Sequence, residues 1–279
     1  MHGRSPRLVC HKPSAWNTCV VQKIKIAAAG DIHAAETHAE KLREAFGRAA
    51  VEADAILLAG DLTSDGEPSE AQVLADACRG VDVPVFAVLG NHDFHLGREA
   101  EISEILDRAG VRVLHRDSAV WEIGGIEIGV VGTKGFVGGF VGSALPDFGE
   151  RLLREVYAET TEEARALGRG LRRVSHCSLR IVLLHYAPIA DTLVGEPAGI
   201  HAFLGSSRLA NPIQEYRPDI VLHGHAHAGT FEGRIGDVPV YNVAVHVTGR
   251  DFWIFDLEVE QAGHAAVEVE GRTEGRTVA

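Results

Sequence analysis

Cysteine is scarce in this sequence: the 279 residues contain four, Cys10, Cys19, Cys78 and Cys177. They are widely spaced and form no Cys-x-x-Cys pair, so neither a zinc ribbon nor a disulfide framework is indicated. Cys10, His11 and Cys19 lack both the usual ligand spacing and a fourth ligand, which disfavours a metal site there. We therefore expect a reducing compartment and predict a cytoplasmic protein.

Basic residues are also in deficit. Lys and Arg number 27 against 39 Asp and Glu, for a formal net charge of −12. A surface of this charge does not favour the phosphate backbone of nucleic acids, so a nucleic-acid partner is disfavoured. An anionic substrate would have to be attracted locally, by bound cations or by basic groups at the site itself.

Long apolar runs are missing as well. No segment approaches the roughly 20 apolar residues that cross a bilayer, so no membrane partner is predicted. Arg4, Arg7 and Lys12 are not followed by the apolar run of a signal peptide. Hydrophobic residues still make up 46% of the chain, which allows a sizeable core. We predict a disordered leader over 1–22, one catalytic domain over 23–260 and a flexible tail over 261–279.

What the sequence does contain is a repeated alternation of short apolar runs and amphipathic stretches. The apolar runs end in glycine and a polar residue, and they predict buried strands at 24–29, 55–59 and 85–89. Apolar residues spaced three and four apart predict helices at 36–50, 69–79 and 98–109. Such alternation is typical of βαβ units and a largely parallel sheet.

The second half of the chain has a different pattern. Runs at 119–123 and 126–131 flank Gly124-Gly125 and predict a hairpin. A glycine-rich loop at 132–149 and a helix at 150–167 follow, then strands at 180–184 and 219–222 and antiparallel strands at 239–245 and 252–259. These elements predict an α/β fold in which two mixed β-sheets pack face to face as a sandwich flanked by helices.

Polar residues collect where the predicted strands end, at the edge where open α/β sheets bind ligands. They are Asp31, His33, Asp61, Asn91, His92, His185, His225 and His227. Oxygen and imidazole groups suit divalent ions such as Mn²⁺, Fe²⁺, Ni²⁺ or Zn²⁺.

Taken singly, most of these motifs have ordinary alternatives. Asp31-Ile32-His33 also fits a surface loop, Gly60-Asp61 a simple turn, and Gly90-Asn91-His92-Asp93 a turn with a helix cap. The segment 223–227, His-Gly-His-Ala-His, is the most specific, because three alternating histidines at a strand end have few structural explanations.

Together, in this order and spacing, the motifs resemble the calcineurin-like metallophosphoesterase superfamily over about 24–259. The resemblance implies a four-layer α/β/β/α fold with two divalent metal ions. One ion would be held by Asp31, His33, Asp61 and His227, and the other by Asp61, Asn91, His185 and His225. Asp61 would bridge the two, while His92 would face the substrate and protonate the leaving group.

The implied activity is hydrolysis of a phosphate ester or anhydride by attack of a metal-bridging hydroxide. The expected partner is a phosphorylated small molecule, with cyclic nucleotides the first phosphodiesterase substrates to consider. Two alternatives stay open: a non-catalytic scaffold with the same fold, and a nuclease, which the net charge disfavours.

Residues outside these motifs carry weaker expectations. Tyr186, His201 and Arg208 follow the predicted His185 strand, and we expect them in a substrate-facing loop. His223 fits either a residue that orients a ligand or a buried core histidine. The glycine-rich segment 132–142 lacks a phosphate-binding loop motif and fits a mobile lid or a plain surface loop.

Overall fold

The computed structural model describes residues 20–261, and its strands form two sheets. The strands are β1 (Val20–Ala29), β2 (Ala55–Ala59), β3 (Val85–Val88), β4 (Val111–Val113), β5 (Asp117–Ile123), β6 (Ile126–Gly132), β7 (Leu179–Leu183), β8 (Ile220–His223), β9 (Glu232–Ile235), β10 (Val238–Asn242) and β11 (Trp253–Gln261). The helices are α1 (Ala39–Glu52), α2 (Pro68–Cys78), α3 (Glu99–Arg108), α4 (Arg151–Arg173), α5 (His201–Leu204), α6 (Ala210–Tyr216) and α7 (Val245–Thr248).

The first sheet has five strands in the order β11-β1-β2-β3-β4. β1 to β4 run parallel, and β11 joins the free edge of β1 in antiparallel register. All five residues of β2 are buried, as expected for a central strand that is covered on both faces. The predicted βαβ half of the chain is confirmed.

The second sheet has six strands in the order β5-β6-β7-β8-β10-β9. β6, β7, β8 and β10 run parallel, while the predicted hairpin partner β5 and the short β9 lie antiparallel at the two edges. The parallel strands of both sheets therefore each have one carboxyl edge at which polar side chains can meet.

The two sheets pack face to face and are covered by helices. Ile24 and Ile26 of β1 share one buried cluster with Ile128 and Val130 of β6, so this cluster lies between the sheets. The outer face of the first sheet packs on residues of α1, α2 and α3. The outer face of the second packs on residues of α4 and α6. The four-layer sandwich is thus confirmed.

Several element boundaries differ from the sequence prediction. The strand predicted at 239–245 ends at Asn242, and Val245 already begins α7. Its predicted antiparallel pairing is wrong on one side: β10 is antiparallel to β9 but parallel to β8. The reason is that β9, a short and largely exposed edge strand, reverses the chain before β10 enters the sheet.

The ends of the chain are described only in part. β1 begins at Val20, inside the segment predicted as leader, and β11 ends at Gln261. The candidate Cys10, His11 and Cys19 group and the tail beyond 261 lie outside the described residues. Cys78 and Cys177 are buried free thiols. Between residues 20 and 261, none of the helices combines the length and apolar character needed to span a bilayer.

Candidate metal centre

The polar residues singled out in the sequence meet at the carboxyl edges of both sheets. Asp31, Asp61 and Asn91 follow β1, β2 and β3, whereas His185 follows β7 and the pair His225 and His227 follows β8. Because the sheets are stacked with these edges side by side, groups far apart in the chain come together, as in the 2.8 Å contact between His185 Nε2 and Asn91 Oδ1.

Backbone strain is concentrated at this edge. Six described non-glycine residues have positive φ, and four of them are Asp31 (58°), His33 (46°), Asp61 (48°) and His225 (72°). Left-handed backbone costs a side-chain-bearing residue about 1–3 kcal/mol and is found mainly where function requires it. All four residues belong to the two groups of candidate metal ligands described below.

The first ligand group contains Asp31, His33, Asp61 and His227, whose ligand atoms all lie within 4.8 Å of one another. His227 Nε2 lies 2.9 Å from Asp31 Oδ1. Burial alone would raise the pKa of the Asp31 carboxyl, but the hydrogen bond from His227 and nearby imidazoles bring it to about 2. That hydrogen bond in turn raises the pKa of His227. Asp31 is therefore an anion at neutral pH.

The second ligand group contains Asp61, His185 and His225, again within 4.8 Å. His185 Nδ1 lies 2.9 Å from the Ala59 carbonyl oxygen, which can only accept, so Nδ1 carries the proton. In a neutral imidazole the lone pair is then on Nε2, which faces Asn91 Oδ1 at 2.8 Å and Asp61 Oδ1 at 3.3 Å. Three atoms with lone pairs face one another here, and their mutual repulsion is relieved only if a cation or a proton lies between them.

The His225 ring is also oriented by a backbone carbonyl. Its Nε2 lies 3.2 Å from the Phe203 carbonyl oxygen, so the ring donates from Nε2 and keeps a lone pair on Nδ1. Burial, followed by the electrostatic interaction with the nearby His185, lowers the pKa of His225 to about 3. A neutral imidazole oriented by a backbone carbonyl is the usual state of a histidine metal ligand.

The donor set therefore fits divalent cations. It combines carboxylate, amide and imidazole groups, and neither ligand group contains a cysteine. These donors suit Mn²⁺, Fe²⁺, Ni²⁺ and Zn²⁺. Asp61 belongs to both groups, which is the placement expected of a bridging carboxylate.

His92 lies beside the two groups and belongs to neither. Its Nδ1 is 2.6 Å from the Ser64 carbonyl oxygen, and its Nε2 is 3.9 Å from Asp61 Oδ2. The side chain is 34% exposed, so one edge of the ring faces solvent. Its ring also packs edge-on against His33, with centroids 4.7 Å apart. This location agrees with a residue that faces the substrate.

Of the residues predicted to contact substrate, Tyr186 is the nearest to the ligand groups. It is buried, its ring centroid is 4.5 Å from that of His225, and burial raises the pKa of its hydroxyl. His201 Nε2 lies 3.2 Å from the Glu196 carbonyl oxygen. Arg208 binds the Tyr157 carbonyl and the Thr161 hydroxyl, and so contacts α4. Substrate contact by these three residues stays a prediction.

The sequence analysis did not assign the roles of two other histidines, His223 and His246. His223 is fully buried, with Nδ1 at 2.8 Å from the Gly224 carbonyl oxygen and Nε2 at 2.9 Å from Thr192 Oγ1. It has the contacts of a hydrogen-bonded core histidine. His246 was missed, yet its ring stacks on that of His227 with centroids 4.2 Å apart. Its role could not be read from the sequence, because it follows the strand predicted at 239–245 and belongs to none of the motifs, and the short helix α7 brings it to the site.

The start of the glycine-rich loop is also different from expectation. Residues 133–135 are buried, and Glu163 accepts hydrogen bonds from the Thr133 hydroxyl and from the Gly135 N–H. Further on, Gly139 N–H bonds the Gly205 carbonyl at 2.8 Å. The interpretation as a plain surface loop is wrong for this part, because α4 and the 205–207 segment cover it. Lys134 within it is a further polar residue near the site that sequence reasoning did not single out.

Comparison with known proteins places this fold. No match was found among curated proteins. Among solved structures, phosphopantetheinyl hydrolase from Mycobacterium tuberculosis is similar at 16% identity and a TM-score of 0.62, with 84% of this chain and 95% of that chain covered. A putative 5'-nucleotidase from Staphylococcus aureus is similar at 16% identity and a TM-score of 0.52, with 86% and 54% covered. Both likenesses concern the fold.

The sequence itself matches a family model. The calcineurin-like phosphoesterase model aligns with residues 24–229, a range that spans β1 to the end of the histidine cluster after β8. That range holds every residue of the two ligand groups as well as His92. The chain therefore belongs to the calcineurin-like phosphoesterase family.

Proposed function

We propose that this protein hydrolyses a phosphate ester of a small molecule with the help of two divalent cations. The observation that carries the proposal is the pair of ligand groups that share Asp61. One ion would be held by Asp31, His33, Asp61 and His227, and the other by Asp61, Asn91, His185 and His225. When bound, such cations acidify water and offset negative charge on the phosphoryl oxygens during in-line attack.

The residues of the chain contribute orientation and proton transfer. The Ser64 carbonyl accepts the Nδ1 proton of His92 and so fixes the ring, which leaves Nε2 free to face the substrate. A protonated Nε2 can donate to the leaving oxygen of an ester that lies over Asp61. His33, whose ring packs against His92, limits the motion of that ring.

The substrate class is proposed from charge and family. The net charge of −12 favours a small phosphorylated molecule over nucleic acid or a membrane surface. Cyclic nucleotides and other phosphodiesters are the first substrates we propose, with Mn²⁺ as the first ion to supply. The scarcity of cysteine supports a cytoplasmic location. The complete ligand set argues against a non-catalytic scaffold.

The test is a hydrolysis screen on Mn²⁺-reconstituted protein. The panel contains p-nitrophenyl phosphate, bis(p-nitrophenyl) phosphate, cyclic nucleotides, dinucleoside polyphosphates and, because of the structural neighbour, a phosphopantetheine diester. We expect turnover of at least one class. Absence of turnover across the panel, with ions bound, would favour the scaffold and overturn the proposal.

A further inference from the structure

A cavity of about 440 Å³ lies beside the turn between Leu89 and Phe94, which carries Asn91 and His92. Its walls include Leu89, Phe94, Ser103, His115, Arg116 and Lys134. The volume is within the range of small-molecule binding sites. None of these residues belongs to the ligand groups, so the cavity is a separate feature of the molecule.

The chain connects this cavity directly to the metal ligands. Leu89 and Phe94 stand on either side of the turn that carries Asn91 and His92. Lys134, which also lines the cavity, accepts the backbone N–H of His185 at its carbonyl oxygen, at 3.1 Å. A molecule in the cavity therefore touches segments that also position the metal centre.

Lys134 places a cation at this boundary. Its Nζ lies 4.4 Å from the ring centroid of Phe136, 5.0 Å from that of Tyr186 and 5.2 Å from that of Phe94. Burial lowers the pKa of Lys134, whereas the nearby Glu163 and Glu159 favour the charged ammonium. Since the Tyr186 ring packs in turn on His225, one aromatic ring separates Lys134 from a ligand of the second group.

The ammonium group has donor capacity left for a ligand. An ammonium offers three donors, and Nζ makes one hydrogen bond within the described residues, at 3.2 Å to the Gly135 carbonyl. The faces of the surrounding aromatic rings attract the ammonium charge but do not replace a full hydrogen-bond acceptor for its N–H groups. A phosphoryl oxygen would supply the missing acceptors.

A second network holds Lys134 in place. Glu163 of α4 is buried and accepts hydrogen bonds from the Thr133 hydroxyl, from the Gly135 N–H at 2.9 Å and from Arg116 Nε at 2.9 Å. Both backbone neighbours of Lys134 are thus tied to one carboxylate. Such pre-organisation lowers the entropy lost when a ligand binds.

The cavity also contains an acceptor without a donor. Glu99 lines it, and Glu99 Oε2 is buried with no hydrogen-bond partner in the described part of the chain. Because buried polar atoms are normally hydrogen-bonded, this oxygen is free to accept an N–H or O–H group from a ligand or water. Together with Lys134, it gives the cavity one cationic end and one accepting wall.

We propose that this cavity binds the organic group of the substrate ester, and that Lys134 binds the phosphoryl oxygens that face it. The substrate class is a phosphate ester whose organic group carries hydroxyl or amide donors for Glu99. This inference rests on the proposed function, because it assigns the substrate subsite of that same reaction.

The first test measures phosphate binding without turnover. Inorganic phosphate is titrated by calorimetry into Mn²⁺-loaded wild-type, Lys134→Met and Lys134→Arg proteins, with metal content and melting temperature checked for each. Loss of one charged hydrogen bond predicts a roughly 10–100-fold weaker phosphate affinity for Lys134→Met and partial recovery for Lys134→Arg. Lys41→Met is the control, because Lys41 is an exposed partner of Asp251 and should bind phosphate like the wild type.

Unchanged phosphate affinity in folded Lys134→Met would overturn the role of Lys134. If that variant does not fold, the comparison of Lys134→Gln with Lys134→Arg decides in the same way, since both side chains are polar and one is charged. Equal affinity of the Gln and Arg variants would contradict the proposal.

The second test fills the cavity. Ser103→Trp should raise KM for adenosine 5'-phosphate at least about 10-fold and leave KM for methyl phosphate unchanged, because only the larger organic group needs the space. If the protein is a diesterase, the same result is expected for the methyl diesters of the two compounds. Glu104→Trp, on the same helix but outside the cavity lining, should change neither. Equal KM changes for both substrates would contradict the subsite. Wild-type inactivity on every ester overturns the proposed function, whereas an active wild type with unaffected variants overturns the subsite alone.

Discussion

At the scale of single residues, Asp61 holds the most consequential position, since its carboxylate belongs to both ligand groups. It is buried, with a left-handed backbone, and its Oδ1 accepts the His92 N–H at 2.9 Å. Asp31 belongs to the first group alone and is paired with His227. The two aspartates therefore offer a matched pair of substitutions of the same size.

We expect Asp61→Asn to weaken both ions and Asp31→Asn to weaken one. Loss of an outer-shell partner already costs about 10–100-fold in metal affinity, so loss of a shared ligand should cost no less for each ion. Titration of Mn²⁺ into the two metal-free variants gives the two affinities. Equal loss of both ions in each variant would show that Asp61 is not the bridge.

His92→Ala should keep both ions and lower kcat. If His92 mainly donates a proton to the leaving oxygen, its removal costs about 10²–10⁴-fold. The loss should be larger for an alkyl ester than for p-nitrophenyl phosphate, because the aryl anion needs little protonation to leave. Metal content and kcat are measured on both substrates.

Two results would contradict this role for His92. A variant that loses an ion would make the residue a ligand, although it lies outside both groups. A variant that is equally impaired on aryl and alkyl esters would make it an electrostatic contact only.

At the scale of elements, α4 sets the position of β6 and of the loop that carries Lys134. Gly170 lets the helix approach closely, because a Cβ at this position would lie 2.3 Å from Val131 Cγ1. Gly168, two residues earlier in α4, has room for a side chain, because its Cβ would lie 3.5 Å from Pro212 Cβ, an ordinary contact.

Gly170→Ala should therefore destabilise the protein although alanine favours helix. Overpacking typically costs about 1–3 kcal/mol, against a gain of about 1 kcal/mol in helix propensity. Gly168→Ala has the gain without the clash and should stabilise by about 0.5–1 kcal/mol. Urea unfolding of both variants measures the difference. Equal stability of the two would contradict the proposed close contact between α4 and β6.

The success of sequence reasoning also differs from one element to another. β1, β2 and β3 were predictable because each is a buried apolar run that ends in a glycine turn. β9 was not predictable from the sequence, because the strand has only four residues, most of them exposed, and lacks the apolar/polar alternation that marks a strand. The four-residue helices α5 and α7 are also too short to show a helical period.

At the scale of the whole molecule, the candidate metal centre draws its side chains from both sheets. Asp61 follows a strand of the first sheet, whereas His185 and His225 follow strands of the second. That these side chains lie together was predictable from their motifs, because each motif ends a strand; their roles as metal ligands stay a prediction. The positions of His246 and Lys134 could not be predicted from the sequence, because they depend on how α7 and α4 pack at the ends of the strands.

Metal binding should accordingly stabilise the entire fold. Each ion, at about 100 times its dissociation constant, adds about 2.7 kcal/mol to the free energy of unfolding. For a domain of this size that corresponds to a melting temperature higher by roughly 5–10 °C. Calorimetry with Mn²⁺ and with a chelator measures the shift, and Asp61→Asn should show a smaller one. An unchanged melting temperature with ions bound would contradict a centre that ties the sheets together.

The central claim is that hydrolysis depends on the two ligand groups at the sheet edge, and metal-dependent turnover tests it most directly. Metal-free protein is titrated with Mn²⁺ while bound ions are counted by elemental analysis and hydrolysis of the best panel substrate is followed. We predict about two ions per chain, activity that rises as they bind, loss on chelation, and no recovery in Asp61→Asn. Turnover that persists without ions, or two bound ions with no turnover of any panel member, would contradict the account.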